Sequence, residues 1–132
     1  MQLLVIGASV FMLASLALAW LATAVRILNV TSLKARFPAN ANVVKAHIDY
    51  LLMALLLMAY YLLGDALGIV YPTWAIVTML FGAAVNPFMF IVVAMHEPGE
   101  YRPGTIAKTI TMLSFTATTI GFATAAIMVM IW

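Results

Sequence analysis

Long apolar runs separated by brief polar breaks make up almost the whole chain. The first run covers about residues 2–28 and closes at Arg26 and Asn29. It is rich in small residues, among them Gly7, Ala8, Ser9, Ala14, Ser15, Ala17 and Ala19, which let helix backbones approach closely in lipid. Residues 30–42 form a polar connection with Lys34, Arg36, Pro38, Asn40 and Asn42. Pro38 lacks an amide hydrogen and would break a helix there. The second run predicts a helix from about Val43 to Leu63, closed by Gly64-Asp65, since glycine at a helix end is a usual stop signal. The third helix starts after Tyr71-Pro72, with Trp74 as an interface aromatic, and runs to about Met95. Asn86-Pro87 sits near its middle, and His96-Glu97-Pro98-Gly99-Glu100 ends it. The fourth runs from about Gly104 to Trp132.

Each run reaches the roughly 20 residues a helix needs to cross a bilayer. The expected fold is all-α, an integral membrane four-helix transmembrane bundle forming a single domain over residues 1–132. Composition points the same way. Apolar residues make up 67% and charged residues 8%, too few charges to cover a water-facing surface, so the lipid bilayer is the expected solvent. Four spans leave no room for a soluble catalytic domain, and any chemistry has to lie within the bundle or at its rim. The chain has no cysteine, which excludes disulfides, thiolate metal sites, iron–sulfur clusters and cysteine nucleophiles. A net charge of +2 and the lack of a basic stripe with interleaved aromatics argue against nucleic acid as a partner.

The first run has features of a signal peptide, with Ala22-Thr23-Ala24 resembling a cleavage site. No Lys or Arg precedes it, however, and it is long for a signal core, so it is read as a span. Arg26, Lys34, Arg36 and Lys45 flank the first connection and Arg102 and Lys108 the third, so all 6 cations fall on one side. That side is expected to be cytoplasmic, with both termini outside, in a bacterial inner membrane.

Ionisable and strongly polar residues within spans are costly and therefore point to function. His47, Asp49, Tyr50 and Asn86 stand out. The His47 imidazole is able to ligate a metal or haem or to carry a proton; an interface histidine bonded to a neighbour is the plainer reading. Asp49 points away from His47 and lies four residues after Lys45 on the same helix face, where a structural ion pair is expected. Asn86 precedes Pro87, which frees the Ala83 carbonyl; its amide can bond across helices or face a ligand in a cavity. His47, His96 and Glu97 lie on one side of the membrane and would permit a metal site, although solvated loop residues are the default there. The fourth helix carries Thr105, Thr109, Thr111, Ser114, Thr116, Thr118, Thr119 and Thr124, read as packing contacts ahead of a polar pathway. No phosphate loop, paired mid-membrane carboxylates or serine nucleophile motif is present.

Pro38-Ala39-Asn40, followed by Lys45-Ala46-His47-Ile48-Asp49 at the opening of an apolar helix, resembles the signature of a small family of four-helix membrane proteins that includes hydroxylaminobenzene mutase and styrene oxide isomerase. Phe81-Gly82, then Asn86, has the form and spacing of that family's third-helix motif, and length and helix count also agree. The resemblance implies a haem b protein assembled as a homotrimer, with haem lodged between protomers. Its ferric iron acts as a Lewis acid on the oxygen of a small apolar epoxide, giving an aldehyde with no net redox change. It further implies that His47 is the iron ligand and Asn86 a pocket residue, placed to orient substrate; Tyr50 and Met53 are expected to border the cofactor.

This chain also departs from the family. Met53 stands where family enzymes have an asparagine, and Tyr50 where a small glycine is frequent. Phe81 and Phe88-Met89-Phe90 replace a region that supplies a tyrosine and an aspartate in the isomerase. Met53 is either a soft second ligand or packing. Three functions therefore remain: an intramolecular isomerase of the epoxide isomerase or mutase type, a haem-binding protein of the same fold without catalysis, and an accessory subunit of a larger membrane complex.

Overall fold

Lipid offers no hydrogen-bond partner to a bare backbone, so an apolar segment that enters it must satisfy its own amides by coiling. The computed structural model, which describes residues 1–132, follows that rule throughout. Four helices are long and apolar enough to cross a membrane: α1 (Gln2–Arg26), α3 (Ala41–Leu67), α4 (Thr73–Ala94) and α5 (Thr105–Met130). The polar connection after α1, expected to be non-helical, contains a further six-residue helix, α2 (Thr31–Arg36). Pro38 lies beyond its end and marks the stop rather than preventing the start.

The second span does not close at Gly64-Asp65. It continues to Leu67 and is capped by Gly68 in the left-handed conformation, φ 68° and ψ 23°. There the Ile69 amide donates to the Gly64 carbonyl at 2.8 Å. A side chain at Gly68 would strain that backbone, which is why glycine ends this helix. Gly64 has another task. A Cβ on it would stand 2.9 Å from the Tyr71 ring and 3.0 Å from the Ile69 carbonyl, so its lack of a side chain lets the returning chain lie against α3.

Consecutive spans run antiparallel. Ser15 of α1 lies beside His47 of α3, Tyr50 of α3 beside Ala84 of α4, and Asn86 of α4 beside Ser114 of α5. α1 packs on α3, α3 on α4 and α4 on α5, while α1 and α5 do not touch. The bundle is thus open along one side. Its core mixes large and small side chains, Leu4, Ala8, Phe11 and Leu18 on α1 against Val43, Ala46, Tyr50, Ala54 and Leu57 on α3, while Ser9 and Ala17 of the small residues on α1 face outward. Only 25 of 132 residues are buried, and Leu13 and Trp20 are 66% and 73% exposed. Such a surface is stable only in an apolar medium or against other apolar chains.

Tyr71, between α3 and α4, is 2% exposed, and its hydroxyl has no hydrogen-bond partner. Burial, and to a smaller extent the nearby Tyr60, pushes its phenol above the ordinary tyrosine value. The ring meets Tyr60 edge-on at 6.1 Å. The ring therefore stabilises this turn and the hydroxyl does not. Tyr71→Phe is expected to leave the melting temperature in detergent unchanged or raise it by the equivalent of about 1 kcal/mol; a clear fall would reveal a partner for the hydroxyl.

Candidate functional site

His47 lies in the second turn of α3 and faces α1. Its Nδ1 is 2.9 Å from the Ser15 carbonyl oxygen and 2.9 Å from Ser15 Oγ. A carbonyl can only accept, so Nδ1 carries the proton and donates it in a forked bond. Ser15 Oγ in turn donates to the His47 carbonyl at 3.0 Å. Ser15 is 1% exposed, and these bonds fix the ring's tautomer and orientation. His47 is half-buried, and no group of the chain bonds its Nε2, the nitrogen that carries the lone pair whenever the ring is neutral. Histidines that ligate metals are held in this way, with one nitrogen donating to a carbonyl and the other free for the ion.

A second feature lies on another side of α3. A groove of about 820 Å³ runs between α3 and α5 with α4 as its floor. α3 contributes Lys45, Asp49 and Met53, α4 Asn86 and Phe90, and α5 Phe115. Tyr101, from the connection before α5, closes the rim. Lys45, Asp49 and Met53 share one helix face because they are four residues apart. The ion pair expected between Lys45 and Asp49 gives way to two groups that border the groove separately. Lys34 is the lysine whose ammonium finds a hydrogen bond, to Asn29 Oδ1 at 3.4 Å. Lys45 is exposed and reaches outward, whereas Asp49 is half-buried.

The residues singled out in the sequence thus fall into separate places. Met53 is six residues after His47, roughly 9 Å along the helix and about 120° around it. The two do not meet at one metal within a single chain. Tyr50 is 8% exposed, its ring stacks on Phe11 with centroids 5.7 Å apart, and its hydroxyl donates to the Ala84 carbonyl at 2.9 Å. That carbonyl neighbours the one Pro87 leaves without its helical donor, so Tyr50 supports α4 at its proline. His96 is exposed, donates from Nδ1 to the Val92 carbonyl at 2.8 Å and packs edge-on against Tyr101. It does not join His47 and Glu97, and no group of three or more His, Cys, Asp or Glu side chains converges anywhere.

Asn86 crosses between helices. Ser114 Oγ donates to its Oδ1 at 2.6 Å, and its Nδ2 donates to Thr118 Oγ1 at 3.2 Å. Thr118 donates onward to the Ser114 carbonyl at 2.8 Å. Both ends of the amide are engaged, so Asn86 joins α4 to α5 while lining the groove. Other hydroxyls of α5 bond their own helix, as Thr111 does to Ala107 at 2.8 Å and Thr124 to Ile120 at 2.8 Å. Asn86→Leu keeps the branched shape and heavy-atom count and removes both interhelical bonds. A loss of about 1 kcal/mol is expected, measured by thermal unfolding in detergent beside a Thr124→Val control that should change nothing.

Sequence reasoning missed Ser15 as a partner of His47, because it reads as one more small residue in a stripe of them. It also missed the groove, whose walls come from three spans and a connection distant in sequence. Fold and site together define the class: a small polytopic helical membrane protein with one histidine, His47, oriented between two helices, and an apolar groove. No family model matches the chain, and no curated protein or solved structure shows significant similarity to it.

Proposed function

We propose that the protein is a haem b-binding, isomerase-like membrane protein in which His47 Nε2 is the iron ligand. The observation that carries this reading is the forked bond from His47 Nδ1 to Ser15, at 2.9 Å to each oxygen, which leaves Nε2 as the free basic nitrogen. The resemblance to the isomerase and mutase family supplies the cofactor's identity. His47 would hold the group, and ferric haem, when bound, would supply a Lewis acid suited to rearranging a small apolar epoxide with no net redox change. Ser15 orients the imidazole and raises its basicity. The groove admits an apolar molecule directly from lipid, and Asn86 lines it. His47 and the groove lie on different faces of α3, so a pocket that uses both is built between subunits of the homotrimer the resemblance implies. The protein sits in a bacterial inner membrane with its basic end cytoplasmic and both termini outside.

A second reading is favoured by Asn86, whose two ends are both engaged by α5, and by Met53 in place of the family asparagine. It is a haem-binding membrane protein of the same fold without isomerase activity. Haem titration followed by optical absorption in mild detergent, then an assay for aldehyde formation from an aryl epoxide, tests both. A saturable Soret band with aldehyde formation supports the first reading, and the band without turnover supports the second. No Soret band at any haem concentration rejects both.

A further inference from the structure

The groove holds a carboxyl group without a partner. Asp49 is half-buried on its α3 wall, and no side chain or amide of the protein bonds its carboxylate. A carboxylate facing apolar walls at membrane depth is costly unless something complements it. Lys45 is one turn nearer the basic end of the bundle, and its long exposed side chain can carry the ammonium to water. Asp49, with a short side chain roughly 6 Å deeper, has no such route. The surrounding surface suits an apolar body. Phe90 and Phe115 line it with aromatic rings, whose π faces attract cations, and Tyr101 borders it as well. The volume of about 820 Å³ matches a drug-sized molecule. α3 and α5 border the groove but scarcely touch each other, so it opens sideways between them and membrane-dissolved compounds have a lateral way in.

We infer that this groove is a binding site for lipophilic organic cations, with Asp49 as counter-ion and the aromatic residues around the apolar body. This is the groove that the proposed function gives to the apolar substrate, so a bound cation would compete for it; its recognition by Asp49 needs neither His47, which faces α1, nor haem. Lys45 opposes binding, since its like charge lies on the same helix face; it tunes affinity rather than creating it.

The test uses tetraphenylphosphonium as probe and the full chain in mild detergent without added haem, with binding measured by equilibrium dialysis. Saturable binding is expected for the wild type. Asp49→Asn is expected to weaken it about tenfold or more, as removal of a charge-assisted contact does, while Asp49→Glu retains it. Lys45→Gln is expected to strengthen it by a factor of about three to ten. Should Asp49→Asn lose its helical circular dichroism, Phe115→Ala and Lys45→Gln decide instead, the first weakening and the second strengthening binding. Absence of saturable binding to the wild type overturns the inference. So does equal affinity in a folded Asp49→Asn protein, which would mean the carboxyl is neutral or faces no ligand. Neither result bears on a Soret band from His47.

Discussion

Haem-loaded protein carrying His47→Ala is expected to lose its Soret band, and added imidazole is expected to restore it. The expectation rests on one ring. Nδ1 is committed as a donor to Ser15, so Nε2 is the atom that can meet a metal. Removing the ring leaves Ser15 in place as part of the socket, and free imidazole can fill the space. Ser15→Ala separates ligation from orientation. It removes the hydroxyl that accepts from Nδ1 and donates to the His47 carbonyl at 3.0 Å, but keeps the Ser15 backbone carbonyl as an acceptor. Such outer partners typically alter metal affinity about 10–100-fold. Ser15→Ala should therefore retain a Soret band with weaker haem affinity. An unchanged spectrum in His47→Ala would move the ligand elsewhere and remove the basis for the proposed function.

The largest structural effect is expected at the α4–α5 contact. A Cβ on Gly121 would lie 2.8 Å from the Met79 backbone nitrogen and 2.7 Å from Met79 Cγ. One on Gly82 would overlap the Thr118 side chain and stand 3.0 Å from its Cα. Backbone cannot swing aside as a side chain can, so a larger residue at either site forces the helices apart. Gly121→Leu is expected to cost about 3 kcal/mol or more, at the upper end of overpacking effects. The separation would also stretch the bonds from Asn86 to Ser114 and Thr118, 2.6 Å and 3.2 Å long, and open the groove floor. Gly104→Ala is the control, because nothing lies within 4 Å of its Cβ position. Thermal unfolding in detergent should show an early transition for Gly121→Leu and a wild-type curve for Gly104→Ala. Equal curves would mean that α4 and α5 do not approach as closely as their glycines allow.

Gly82 also shows how a motif can carry more than one meaning. In the sequence, Phe81-Gly82 with Asn86 reads as part of a family pattern and places Asn86 in a pocket. In the fold, Gly82 lets α5 come close and Asn86 reaches across to it, so helix packing alone is enough to require both residues. The pocket still lies beside Asn86, but its chemical freedom is limited by two partners already bound.

The number of spans, their order and the gathering of all six cations at one end were legible from the chain itself. Lipid forces every apolar run to satisfy its own backbone, so length and hydropathy are enough to define such helices. Helix ends were less legible. Gly64 carries the same letter as Gly68, and only the approach of Tyr71 shows that the first is a packing gap and the second a cap. Side-chain pairing was beyond the sequence. Spacing along α3 shows that Asp49 points away from His47, yet it cannot say which neighbour each face meets. Docking of the helices decided that: α1 brought Ser15 to the Nδ1 side of His47, while α4 and α5 placed Asn86, Phe90 and Phe115 opposite Lys45 and Asp49. Local periodicity fixes the direction of a side chain relative to its own helix, and only packing between helices supplies its partner.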